Sequence, residues 1–163
     1  MKQTFLKLSS VLALLMAVGG TQIPVSGQSD DEGHEPSLVG VWVTQVTRRN
    51  CETGEPIGTS QGQNTFAKGG TLLETIRPSI FRSLGNGIWK RESGLNEYSF
   101  ALRFMQFDAA GSFVGSTVVR AALTLDETGD HYTSTATNDV LDVNGNVIAS
   151  GCATSVSTRF SME

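Results

Sequence analysis

Residues 98–125 read YSFALRFMQFDAAGSFVGSTVVRAALTL. Over Tyr98–Phe104 the even positions are Tyr98, Phe100, Leu102 and Phe104, with Ser99 and Arg103 between them. Over Thr117–Leu125 the odd positions are Thr117, Val119, Ala121, Leu123 and Leu125, opposed by Ser116, Arg120 and Thr124. A period of two places each row on one face of a β-strand. The break between the runs, Asp108-Ala109-Ala110-Gly111, supplies glycine where a hairpin turn needs positive φ. Two antiparallel strands with inward apolar rows are therefore expected. Burial of each large apolar side chain contributes roughly 1.5–3 kcal/mol, so these rows form a large share of the core.

Working outward, the same pattern continues. No window after Leu38 holds a helical stripe for three turns. Runs rich in β-branched and aromatic residues recur at 38–50, 60–67, 71–77, 87–93, 98–107, 112–125, 130–142 and 146–160. Lys68-Gly69-Gly70, Glu127-Thr128-Gly129-Asp130 and Asn144-Gly145-Asn146 mark further corners, the last with Asn-Gly at its centre. Eight strands joined mostly by tight turns make an antiparallel up-and-down meander. Closure into an eight-stranded β-barrel removes both sheet edges, so the fold class expected is all-β.

Ahead of these strands the chain reads as an address. Residues 1–27 have the form of a secretory signal peptide, with Lys2 and Lys7 before an apolar run from Leu8 to Val18. That run is too short to span a bilayer, so no stable membrane anchor is expected. Val25-Ser26-Gly27 suits cleavage after Gly27, with Gly19 and Gly20 as competing sites. Residues 28–37, carrying Asp30, Asp31, Glu32 and Glu35, read as a disordered acidic leader, and residues 38–161 as the barrel domain. The whole chain of 163 residues has a net charge of −4. Removal of Lys2 and Lys7 makes this more negative, and no nucleic-acid footprint is present. A secreted or periplasmic location follows from the address.

The ends of the barrel region carry Gly40-Val41-Trp42 and Arg159-Phe160. A Gly-x-Trp on the first strand with an arginine on the last resembles the calycin group of lipocalins, fatty-acid-binding proteins and avidins. The resemblance implies that Arg159 lies over Trp42 and closes one end of the barrel, with Gly40 beside them. Lipocalins add a C-terminal helix; here the sequence reaches Glu163 just after the last strand, and no such helix is expected. The chain is also similar to a recurrent group of uncharacterised secreted bacterial proteins. Asn50-Cys51, Phe66-Ala67-Lys68-Gly69-Gly70-Thr71, Gly87-Ile88-Trp89, Phe107-Asp108 and Gly151-Cys152-Ala153-Thr154 carry that likeness, which implies a fold and no activity.

Cys51 and Cys152 are the only cysteines, and in an exported chain they are expected to form a disulfide; two buried free thiols are the alternative. If the two cysteines face each other across the first and last strands, the same register sets Thr44 opposite Arg159. Trp42 and Arg159 then share the inner face, with Ala149, Gly151, Ala153, Ser155 and Ser157 on the same side of the last strand. Val39, Val41, Val43, Val156 and Phe160 then point outward. That apolar stripe leaves open a strand bulge or a homo-oligomer through the outer face of the first and last strands.

Chemistry-bearing patterns are sparse. His131 stands at a turn edge, no Gly-x-Ser-x-Gly elbow occurs, and Gly85-Asn86-Gly87 reads as loop rather than phosphate cradle. Asp139, Asp142 and Asn144 miss the spacing of a calcium loop, so no metal is expected. No cofactor motif is found. Glu74, Glu92 and Glu97 are the carboxylates from which a catalytic pair could be drawn, with Glu92 and Glu97 flanking the polar turn at 93–96. Cys152 as a nucleophile is removed by its expected bond. No catalytic residue is assigned.

The function these features favour is a secreted barrel that binds a small apolar or amphipathic ligand. Trp42, Trp89, Tyr98, Phe100, Leu102, Phe104, Val119 and Tyr132 are the interior residues expected to line it. A wall of small residues on the last strand facing an aromatic wall leaves room for a ligand. Two alternatives stand beside this reading. One is a barrel enzyme similar to allene oxide cyclases and dirigent-type proteins, with Glu74, Arg103 and Arg120 as the charges of interest. The other is a filled barrel acting as a structural or interaction module.

Overall fold

A computed structural model describes residues 36–77 and 81–162. The expected signal peptide and nearly all of the leader lie outside the described residues. Eight strands form a single closed antiparallel up-and-down barrel. They are β1 (Gly40–Arg49), β2 (Pro56–Ala67), β3 (Thr71–Ile76), β4 (Gly85–Arg91), β5 (Glu97–Phe107), β6 (Phe113–Leu125), β7 (His131–Leu141) and β8 (Val147–Arg159). No helix occurs among the described residues. β1 pairs with β8, so the sheet has no free edge.

The alternation read in β5 and β6 decides their facing. Tyr98 pairs with Leu123, Phe100 with Ala121 and Leu102 with Val119, all with inward side chains. Followed pair by pair from Gly40, the ladder runs through Phe66, Leu72, Gly87, Leu102, Val119 and Asn138 to Gly151. Gly151 lies one step beyond the Cys152–Arg49 pair, level with Asn50, so the circuit returns to β1 ten residues from its start. Closing eight strands with that stagger requires a strand tilt of about 40°.

Three corners share one construction. Asp108, Asp126 and Asp142 each accept a hydrogen bond from the backbone N–H of a glycine three residues on, at 3.0, 3.2 and 3.1 Å. Each carboxylate also accepts backbone N–H groups of its own turn, such as Ser112 N, His131 N and Asn146 N. The β7–β8 corner is therefore the five-residue loop Asp142–Asn146, wider than a two-residue Asn-Gly turn, because the Asp142 side chain gathers those donors.

The register between β1 and β8 differs from the one the cysteines suggested. Trp42, not Thr44, pairs with Arg159. Cys51 lies past the end of β1, in a turn where Asn50 N–H donates to Glu55 O and Gly54 N–H to Asn50 O. The disulfide to Cys152 thus joins a turn to a strand, with Cα atoms 5.3 Å apart, and does not mark a ladder pair. The shift is two residues, an even number, so every residue keeps its face. The bridge spans 101 positions and contributes up to about 4–5 kcal/mol in the chain-entropy account.

One end of the barrel is filled. Trp42, Tyr132, Phe66, Leu38 and Leu125 are fully buried there, and Trp42 Nε1–H donates to Leu38 O at 2.9 Å. The Arg159 guanidinium lies over the Trp42 ring at 4.3 Å. Its N–H groups donate to Ser37 O, Val39 O and Gly129 O at 2.6–2.9 Å. Gly40, at φ 142°, makes this possible: a Cβ there would stand 2.7 Å from an Arg159 nitrogen.

Candidate functional site

Above the Trp42 cluster the barrel is hollow. A cavity of about 340 Å³ is lined by inward residues from every strand except β4. Its apolar wall is Phe100, Leu102 and Phe104 of β5 and Val119 of β6. Across from them Ala136 of β7 and Ala153 and Ser155 of β8 are small, and the space follows from that asymmetry. Toward the far rim stand Val46, Arg48, Ser60, Ile76 and Val140.

The eight expected lining residues all belong to the inward face but divide into two groups. Phe100, Leu102, Phe104 and Val119 line the cavity. Trp42, Tyr98 and Tyr132 are buried in the core below it, and Trp89 packs against that core. Edge-to-face contacts bind the set: Trp42 to Tyr132 at 4.9 Å and Phe66 to Trp89, Phe100 and Tyr132 at 6.0 Å. Trp89 spends its indole N–H on Ala67 O at 3.0 Å. These residues form the floor's foundation rather than its surface.

The floor itself is polar. The Tyr132 hydroxyl accepts a hydrogen bond from Asn64 Nδ2 at 2.8 Å and lies 3.3 Å from the Thr44 hydroxyl. Thr44 is also 2.9 Å from the Ser157 hydroxyl, and Ser134 is 2.7 Å from Ser155. Buried hydroxyls thus satisfy one another, as low-dielectric surroundings demand.

One wall carries a charge pair that sequence reasoning only half foresaw. Glu74 follows Leu72 and precedes Ile76 at steps of two, so it points inward, and it is only 5% exposed. Its Oε2 accepts a hydrogen bond from Arg82 Nη2 in a salt bridge. The Arg82 guanidinium also lies over the Phe104 ring, 3.4 Å from its centroid. Gly85 sits beside the carboxylate, where a Cβ would approach Glu74 Oε2 to 2.5 Å. Burial raises the Glu74 pKa above its ordinary 4.5, against the lowering by the Arg82 charge and hydrogen bond.

Arg82 had no signal in the sequence, because it lies outside the named strands. It is placed by a bridge to Gln106 and by Ser83, whose N–H donates to Met105 O and whose hydroxyl accepts from Met105 N.

The other candidates are dispersed. Glu92 hydrogen-bonds Ser99 and pairs with Lys90, which hold its carboxyl below the ordinary range; Glu97 is exposed on the next strand. Arg120 pairs with Asp139 at 2.8 Å on the outer face, and Arg103 is exposed. His131 is exposed at its turn, with Nδ1 3.3 Å from the Thr158 hydroxyl. Asp139 and Asp142 are engaged separately, by Arg120 and by the β7–β8 turn. Among the described residues no group of three or more His, Cys, Asp or Glu could hold a metal ion.

A larger concavity, about 790 Å³, lies against the outer face of β4–β8 beside the disulfide. Its walls set the small side chains Ala101, Ala122 and Thr137 and the exposed Ile88 among Arg49, Lys90 and Arg120, the last already paired with Asp139. The interior cavity combines an apolar wall, a polar floor and a charge pair, the composition of a ligand site. The chain matches no protein-family model, no curated protein and no solved structure.

Proposed function

We propose that this protein is a secreted or periplasmic binding barrel, calycin-like in plan, that takes up one small amphipathic molecule. The observation that carries this reading is the cavity of about 340 Å³ between a polar floor of buried hydroxyls and the apolar β5–β6 wall. That volume is at the lower end of small-molecule sites. A ligand there would lay its apolar part against Phe100, Leu102 and Val119 and its polar part toward Asn64, Thr44 and the Glu74–Arg82 pair. The disulfide supports an oxidising compartment, in keeping with the address at residues 1–27.

Native mass spectrometry of the protein purified from its own host tests the reading. A stoichiometric small adduct is expected in the wild type. Ala136→Phe and Ala153→Phe, which fill the cavity from β7 and β8, should abolish it while the protein stays folded. An adduct that survives both substitutions would refute binding inside the barrel.

The outer face of β1 and β8 adds a reading for assembly. Val39, Val43, Val156 and Phe160 are exposed on or beside the paired strands β1 and β8, which supports a second copy as their cover. Light scattering at high micromolar concentration should return a dimer, and a monomer there would refute it.

A further inference from the structure

Among the described residues Glu74 is the one carboxylate on the cavity wall, and the pairing that holds it is one-sided. The hydrogen bond to Arg82 runs through Oε2, and among the described residues Oε1 accepts none. Arg82 is the cation that meets Glu74, while Arg48 is exposed at the cavity rim with its guanidinium beside Gly58. A buried carboxylate is a stronger base than one in water, because desolvation destabilises its charged form. A neighbouring guanidinium then meets negative charge that develops on a substrate.

We infer that Glu74 acts as a general base on a small neutral carbon acid held in the cavity, a planar molecule with a C–H beside a carbonyl or C=N group. This rests on the binding reading above. In the step, the C–H bond breaks and its proton bonds to Glu74 Oε1. The electron pair moves into the adjoining π system and its charge gathers on the substrate heteroatom, facing Arg82. Return of the same proton to another carbon isomerises the molecule, with no oxidant, reductant or second reactant. Phe104, already stacked under Arg82, keeps that guanidinium on the cavity wall.

The probe is 5-nitrobenzisoxazole, a neutral fused bicycle. A base removes its ring C–H proton, the N–O bond breaks, and a coloured cyanophenolate leaves; Glu74 then passes the proton to water. The wild type should turn it over with saturation, at about 100-fold or more above acetate at the same pH. The rate should climb with pH through one inflection above 4.5, the ordinary carboxyl value. Arg82→Met should move that inflection upward, since the cation that holds the pKa down is gone. Glu74→Gln should lose about 100-fold, Glu74→Asp should fall between, and Glu92→Gln on the outer face should match the wild type. Binding is read separately with 5-nitroindole, a non-reacting mimic, by native mass spectrometry. If nitroindole binds but the wild type is no faster than acetate, or Glu74→Gln keeps its rate, the base is overturned and the binding barrel stands. If neither binding nor turnover occurs, the base falls together with the barrel's capacity for such planar molecules.

Discussion

Of the arginines that lie over aromatic rings in this barrel, Arg159 and Arg82 make the closest contacts and serve opposite ends of it. Arg159 covers Trp42, gives its N–H groups to three backbone carbonyls and meets only an exposed carboxylate, that of Asp130 at 3.5 Å. Arg82 covers Phe104 and gives its charge to a buried carboxylate. The first arrangement satisfies backbone acceptors at the seam where the chain begins and ends the barrel, and its charge stays partly solvated. The second puts an ion pair against a cavity wall, where desolvation of both groups opposes their attraction. The same side chain, stacked the same way, is a clasp at one end and an electrostatic site at the other. The partner decides which.

The largest expected effect breaks the second arrangement. Arg82→Met strands Glu74 as a buried unpaired anion and should cost about 3–5 kcal/mol at pH 7. The folded-state pKa of Glu74 is raised above 4.5, so its protonated form is the one the fold prefers. Stability from this group is therefore fully present below pH 4.5 and lost as pH rises through the folded value. Without Arg82 that value rises further, and the penalty should largely vanish at pH 4. Urea unfolding at both pH values checks this. Equal penalties would mean that Arg82 acts through packing rather than charge. The double variant Glu74→Gln with Arg82→Met should recover most of the neutral-pH loss.

The clasp should be weaker and insensitive to Glu74's titration. Arg159→Ala removes charged hydrogen bonds to Ser37 O, Val39 O and Gly129 O together with the ring contact. About 2 kcal/mol is expected, similar at pH 7 and pH 4. Gly40→Ala should cost about 1–3 kcal/mol because its Cβ would press on Arg159. In the Arg159→Ala background that cost should shrink to the backbone strain alone, a coupling that a double-mutant cycle reads directly.

The smallest effect concerns the aspartate corners. Hydrogen bonds from the Asn146 side chain and backbone hold Asp142 below its ordinary 3.8. A depressed carboxyl stabilises the fold above its unfolded pKa and loses that contribution as pH falls below 3.8 through the folded value. Asp142→Asn should accordingly be slightly less stable than the wild type at pH 5 and indistinguishable from it near pH 2. A difference that persists in acid would assign the corner's strength to shape rather than charge.

Much of the architecture was legible because strand facing is a local property. Tyr98, Phe100, Leu102 and Phe104 alternate with polar residues, and no distant contact is needed to know that they share a side. The same holds for Thr117–Leu125 and for the small inward residues of β8. The placement of Arg159 over Trp42 came from a resemblance in three residues rather than from the pattern. The disulfide was expected from there being only two cysteines in a sequence read as exported.

Register was not legible. Cys51 stands beyond the end of β1, where the turn after Asn50 carries it toward β8, so the bridge misled the pairing by two residues. The cavity was half legible: its walls follow from parity, but its depth depends on Phe66, Trp89 and Tyr132 interlocking below it.

Sequence by itself determined the strands, their inward faces, the closure of the barrel and the partners of its two cysteines. These depend on side-chain periodicity and on counting, both carried by neighbouring positions. Only the tertiary structure decided the stagger of ten residues, the hollow above the Trp42 cluster and the meeting of Glu74 with Arg82. Stagger is set where strands end and turns begin, and volume by side chains from seven strands at once. The charge pair joins a strand to a loop that no periodicity describes, so its electrostatics exist only once the barrel has closed around it.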